Sequence, residues 1–190
     1  MKSLFIDKEF LYDGTQLRSL YAYLEHKLQG DSVVSWIGPC SVSFDHMVDG
    51  EDLLDRSAIA GSKMVHFIIE KFHQNLFAGV AVQRLFSAIC LDLLRNSAPD
   101  PKVSTWLRRD GDDLFFGEGK LSISIATVSP MSTLIHFAVN CTNAGTPVKT
   151  ASLAEDLGID PVFFAKEAME RLTRELHGIE EATVKVRWVP

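Results

Sequence analysis

The spacing of apolar positions changes several times along this chain, and each change marks an element. Residues 3–11, SLFIDKEFL, read as a first strand closed by YDGT. Thr15 can cap a helix over 16–29, where Leu17, Leu20, Tyr21, Leu24 and Leu28 recur at helical spacing, and Gly30 ends it. SVVSWIG, 32–38, reads as a strand stopped by Gly38-Pro39, and 40–61 begin as a strand that becomes an acidic loop or short helix. From Ser62 the spacing predicts a helix, KMVHFIIEKFHQ, then a more buried one over NLFAGVAVQRLFSAICLDLLRN, with a break at SAPDP, 97–101. Strands are expected at 112–116, 120–127 and 132–140, followed by GTPV and a short helix at 151–157. Asp160 and Pro161 open a helix expected to run to about residue 177, and 182–189 read as a last strand. With no repeat and no linker-like stretch, residues 1–190 read as a single α+β domain with a largely antiparallel sheet and helices packed on one face.

Composition narrows the class. A chain of 190 residues, 46% hydrophobic and 23% charged, can bury a full core without disulfides or metals. The net charge of −6 comes without any Lys/Arg-rich run, so nucleic acid is not an expected partner. Cys40, Cys90 and Cys141 are odd in number and widely spaced, which argues against a disulfide framework and suits a reducing cytoplasm. Charges interrupt the first residues, MKSLFIDKEFLYDG, and no unbroken apolar run approaches the roughly 20 residues that span a bilayer, so neither a secretory signal nor a membrane partner is expected. The sequence sets no oligomeric state.

Candidate chemistry concentrates in DDLFFGEGKLSISIATVSPMSTLIHFAVN. GEG predicts a three-residue hairpin connection with Phe116 facing Lys120 and Asp112 opposite Ser124. Alternation then divides the strands into an apolar face and a face collecting Lys120, Ser122, Ser124, His136 and Asn140 with Asp112 nearby, provided a bulge or odd turn near Pro130 brings the faces into line. A cation, a histidine, an amide and small hydroxyls suit a small ligand bearing a carboxylate or phosphate; the plainer alternative is a solvated sheet face.

These residues resemble the lipoate and biotin protein ligases and the related octanoyltransferases. Asp113 stands seven residues before Lys120, and the chain continues into IHFAVN with His136 and Asn140. The resemblance implies a ligase-like fold, a lysine that contacts the activated carboxyl and phosphate of an acyl-adenylate, an aspartate that orients nucleotide and Mg²⁺, and thus ATP and Mg²⁺ as cofactors. It covers about a third of the chain. No arginine-bearing glycine loop precedes residue 62, Ile123 stands where a glycine is expected, and Phe137 follows His136. The spacing selects Asp113 where alternation selects Asp112, and both stay open. WIGPC, MVDGED, MVHFIIEKF, QRL and KLSISIATVSPMSTLIHF also resemble an uncharacterised prokaryotic family of unknown function.

Three further groups carry possible chemistry. FDHMVDGEDLLD gathers carboxylates, of which Asp49 and Glu51 are the best candidates for Mg²⁺ or a basic substrate, unless the loop is simply solvated with a helix start at Asp49 or Asp52. His66, Glu70 and His73 fall on one stripe of the helix expected from Ser62, where His66 and Glu70 could hold a metal or form an orienting hydrogen bond. Gln83 and Arg84 interrupt an apolar helix, so Arg84 needs an internal acid or serves as an anion clamp, a role Arg109 could share from a loop. The first reading is a ligase or acyltransferase centred on Lys120 and His136. A non-catalytic binding module on the same fold comes second, and a metal-dependent hydrolase third.

Overall fold

The computed structural model describes residues 1–100 and 102–189, so Pro101, the end of the SAPDP break, and Pro190 lie outside it. Five strands form the main sheet in the order β1 (Lys2–Ile6), β2 (Ser32–Val42), β3 (Ile59–Phe72), β8 (Ser132–Asn140) and β7 (Ser122–Val128). Only the β1–β2 pair is parallel. A second sheet of β4 (Leu107–Asp110), β5 (Asp113–Phe116) and β6 (Gly119–Lys120) stands beside it. Two long helices, α3 (Leu76–Ser97) and α5 (Pro161–Val184), pack on one face of the main sheet; α1 (Tyr21–His26), α2 (Gly50–Asp55) and α4 (Val103–Trp106) are short. This is the expected α+β class, with antiparallel pairing dominant.

The two sheet faces carry different cores. Val33, Val65, Phe67, Ile69, Ile135, Phe137 and Val139 face the long helices, where Phe86, Cys90, Leu94, Phe164 and Leu172 close over them. Cys141 joins this core, as its position after β8 implies. Val34, Trp36, Met64, Ile68 and Ala138 face the opposite way, toward Tyr12 and Tyr21 of the N-terminal segment. Burying about half a dozen aliphatic and aromatic side chains on each face, at roughly 1.5–3 kcal/mol apiece, holds the sheet between its two layers.

The largest departure from expectation is β3, read from the sequence as a helix from Ser62. Its two sides are both apolar because both are covered, so Met64, Val65, Ile68, Ile69 and Phe72 satisfy a helical period as well as an alternating one. Sheet pairing on both edges decides the matter. Helix 16–29 shrinks to α1, bounded by Leu20 and Lys27 in the left-handed region. β2 continues past Gly38-Pro39 through a bulge between Gly38 and Cys40. Gly38 is required there, because a Cβ would lie 1.9 Å from the Phe10 carbonyl oxygen. Residues 151–157 form turns rather than a helix. α5 is capped by Asp160, which accepts from the Phe163 amide at 2.7 Å as expected, but it runs on to Val184 in place of the last strand.

α3 is long and apolar enough to cross a membrane by length and composition, which a search for unbroken apolar runs misses because Gln83 and Arg84 interrupt it. In the fold, its Phe86, Cys90, Leu93 and Leu94 are fully buried in the core.

Candidate functional site

The β5–β6 hairpin, the β7–β8 pair and the loop around α2 enclose a cavity of about 430 Å³. Its lining includes Asp49, Glu51, Asp52, Asp112, Asp113, Lys120, Ser122, Ser124, His136 and Asn140. Nine of these are residues that the sequence singles out as candidates, since Asp52 is the addition. Tyr12, Met64, Ile123, Ile125 and the segment Thr146–Val148 also line it. Tyr12 reads from the sequence only as the start of the YDGT turn that closes the first strand, and 146–148 only as part of the GTPV stretch, so chain topology alone brings them here.

Lys120 is fixed through its main chain. Its N–H donates to Lys149 O at 3.1 Å, and its carbonyl accepts from the Ala151 amide and from Asn140 Nδ2, both at 3.1 Å. Asn140 Nδ2 also donates to Ala151 O at 3.1 Å, so Asn140 is a brace whose donors are spent on main chain. The hairpin turns over two residues, Gly117 and Glu118, rather than three, because Phe116 pairs with Gly119 and Phe115 with Lys120. This places the ammonium of Lys120 2.8 Å from Asp113 Oδ2. Burial pushes the Asp113 carboxyl above its usual range, the charges of Asp112 and Asp110 add to the rise, and Lys120 opposes it.

Both aspartates reach the cavity, by different supports. Asp112 is held from α3: Gln83 Nε2 donates to its Oδ2 at 2.9 Å, Ser87 donates to its carbonyl at 2.9 Å, and Arg84 stands 3.4 Å from Oδ1. Gln83 is the buried member of the Gln83–Arg84 pair, whereas Arg84 is half exposed. Arg84 and Arg109 lie outside the cavity lining, and Arg109 folds back to donate to the Gly111 carbonyl.

The single polar face expected from alternation is not formed. A tight turn at Ser129–Ser132 replaces the bulge, so Ser122 pairs with Val139 and Ser124 with Phe137, on the helix side. His136 points to the other face, opposite Ile125. The serines act as braces: Ser122 accepts from the Leu114 amide at 2.8 Å, and Ser124 accepts from Gln83 at 2.8 Å while donating to His136 O at 3.1 Å.

His66, Glu70 and His73 do not share a helical stripe. His66 and Glu70 lie on one face of β3, and His73 sits in a left-handed turn beyond its end. His66 Nε2 is 3.2 Å from Gly38 O and its Nδ1 is 3.1 Å from His136 Nε2. Burial lowers His66 to about 4 and drives His136 well below the ordinary histidine value, with the His66 charge as a second cause for His136. Tyr12 stacks on His136 at 3.7 Å between ring centroids, and Trp36 on His66 at 5.2 Å.

Glu70 makes no bond to His66. It accepts from Ser132 Oγ at 2.7 Å, from Ser19 Oγ at 3.1 Å and from the Leu20 amide at 3.0 Å, tying the N-terminal segment to the sheet. Glu70→Leu leaves these donors unpaired in a buried place and is expected to cost about 2 kcal/mol of stability in urea unfolding, with Glu70→Gln costing less.

Asp49 caps α2, accepting from the Glu51 amide at 2.8 Å. Burial, reinforced by Asp49, Glu51 and Asp55 and opposed by Lys120, raises the Asp52 carboxyl. Five carboxylates therefore line the cavity with one lysine, itself paired, and no arginine. Among the described residues, no group of three or more His, Cys, Asp or Glu side chains is disposed to hold a metal ion. A polyphosphate would meet mainly like charge here, so this lining does not by itself fit ATP or form a ready Mg²⁺ site.

Residues 1–187 match the family described as Domain of unknown function (DUF366). An uncharacterized protein of Methanocaldococcus jannaschii is 30% identical over 168 residues, covering 85% of this chain and 73% of the relative. A protein of unknown function from Pyrococcus horikoshi superimposes with a TM-score of 0.91 at 39% identity, over 99% of this chain and 98% of that one. The biotin protein ligase of Aquifex aeolicus, in complex with biotin and ATP, superimposes with a TM-score of 0.61 at 13% identity, over 95% of this chain and 72% of that one. At that identity the likeness is one of fold.

Proposed function

The chain belongs to the DUF366 family, and on the biotin-ligase fold it adopts we propose a small-ligand site of ligase or acyltransferase type, centred on Lys120, that binds a small carboxylic acid. The observation that carries this reading is the convergence of Lys120, Asp113, Asp112 and His136 on one cavity. Lys120 would exchange part of its contact with Asp113 for the ligand carboxylate, and would stabilise negative charge developing on the acyl oxygen. Asp113 keeps the ammonium aimed into the cavity. Asp112, fixed by Gln83 and Ser87, is the second polar wall. Asp49 and Glu51 are rim groups that would meet a basic acyl acceptor. The domain would act as a unit of residues 1–190 in the cytoplasm, where its three buried cysteines stay reduced.

A non-catalytic carrier of the same acid is the second reading, favoured by the absence of arginine from the cavity lining. Calorimetry with biotin, lipoate and octanoate, each with and without ATP and Mg²⁺, tests both. Binding of an acid that strengthens with nucleotide favours the ligase reading, binding indifferent to nucleotide favours the carrier, and no binding at millimolar acid overturns both.

Gly119 gives a further test, because a Cβ there would lie 2.8 Å from the main chain of Thr150 and Ala151. Gly119→Ala must displace the segment that pins Lys120, and is expected to weaken acid binding about tenfold, the equivalent of one lost hydrogen bond.

A further inference from the structure

The charges of the cavity do not balance. Of the five carboxylates that line it, Asp113 is offset by Lys120, and Arg84, outside the lining, stands 3.4 Å from Asp112. Asp49, Glu51 and Asp52 have no ion-pair partner among the described residues. Asp49 is turned to the first amides of α2, whereas the Asp52 side chain bonds no protein group there and feels the charges of Asp49, Glu51, Asp55 and Lys120. A ligand that brought only a carboxylate to Lys120 would add a sixth negative charge to this lining.

The buried polar atoms that open on the cavity make the same demand. Asn140 Nδ2 donates to two carbonyls, those of Lys120 and Ala151, which fixes the amide orientation and leaves Oδ1 over. Asn140 is only 4% exposed and lines the cavity. Its Oδ1 has no hydrogen bond among the described residues and is not one of the sealed polar atoms without a partner, so it opens on the cavity. His136 ends in a bare acceptor too. The Gly38 carbonyl only accepts, so His66 Nε2 carries the proton, His66 Nδ1 accepts, and His136 Nε2 is the donor. His136 Nδ1 is then a lone pair on a ring 3% exposed that lines the same cavity. Acceptors so enclosed are satisfied only by a donor that the ligand brings.

Resting on the carboxylic-acid reading above, we propose that the ligand is an amino acid in the broad sense, an acid that also carries a protonated amino group. Its carboxylate meets Lys120, and its ammonium is taken by Asp52 with Asn140 Oδ1 or His136 Nδ1. An ammonium has three donors and one positive charge, so it pairs the open acceptors and cancels the charge that the carboxylate adds. A simple fatty acid does neither.

Four probes of one chain length separate this inference from the reading beneath it: octanoate, 2-aminooctanoate, 8-aminooctanoate and octylamine. Each is titrated by calorimetry into the full chain at about pH 7.5, where the amines are protonated. The expected result is that one of the two amino acids binds at least about tenfold tighter than octanoate and than octylamine. Asp52→Asn weakens that amino acid severalfold and tightens octanoate, opposite directions that a damaged fold does not produce. Octanoate binding as tightly as both amino acids, or Asp52→Asn acting equally on acid and amino acid, overturns the ammonium inference and leaves the Lys120 reading standing. Octylamine binding as tightly as the amino acids while octanoate does not bind overturns the Lys120 reading and supports the cation site. No binding of any probe at millimolar concentration overturns both.

Discussion

Lys120→Met lowers the affinity for small carboxylic acids by about 10- to 150-fold, the loss of a charge-assisted hydrogen bond worth about 1.5–3 kcal/mol in a partly enclosed site. The folded state should hardly respond. Lys120 and Asp113 are about one-third exposed, and a pair so placed contributes at most about 1 kcal/mol. The substitution thus separates binding from folding. Calorimetry on the variant, with urea unfolding as the control, reads both, and an unchanged affinity would remove Lys120 from the site. Lys120→Arg should recover only part of the loss, because the main chain is pinned by Lys149, Ala151 and Asn140 and cannot move to accommodate the longer, planar head.

The second large effect is a loss of stability in mild acid. In the unfolded chain His66 takes up a proton near the ordinary 6.5, but in the fold it does so only near 4. Between those values the unfolded state binds more protons, so stability is complete above about pH 6.5 and falls by about 3 kcal/mol as the pH drops through 4. His136 shifts in the same direction and steepens the fall. The groups facing the pair are Tyr12, Trp36 and the Gly38 carbonyl, none of which supplies a compensating negative charge. Asp13 and Glu180, whose carboxyls are held below their usual values, lose their contributions only at lower pH, while the raised carboxyls of Asp52 and Asp113 oppose the fall, so the histidine part is read as the difference between the protein and its His66→Phe variant. Urea titrations from pH 7.5 downward should show the slope, and His66→Phe should flatten it. A stability independent of pH above 5 would mean that the pair is solvated and open.

The class of fold was legible because most segments carry local signals that agree with their packing. Asp160-Pro161 caps a helix wherever it is placed, and the 132–140 strand is bounded by a serine-proline turn and a polar end. β3 was illegible for a physical reason: a strand covered on both faces loses its alternation, and a run such as MVHFIIEKF fits either period. That one misreading separated His66 from His136 and hid the chain of hydrogen bonds between them. Nearly all the cavity candidates were nevertheless visible, since residue type marks them: acids and a lysine at a hairpin, and a histidine in an apolar strand. Their orientation was not. The faces of Ser122 and Ser124 depend on whether residues 129–132 make a tight turn or a bulge, and Tyr12 meets His136 only because the N-terminal segment crosses β2 beside Cys40.

In the proposed site a ligand carboxylate meets Lys120 inside the cavity. The most direct test is a crystal structure of the protein with the tightest-binding of biotin, lipoate and octanoate. A carboxylate oxygen is expected within about 3 Å of Lys120 Nζ, with the chain of the ligand lying over Ile123 toward His136. A ligand lodged outside the cavity, or one inside it with the carboxylate turned away from Lys120, would contradict it.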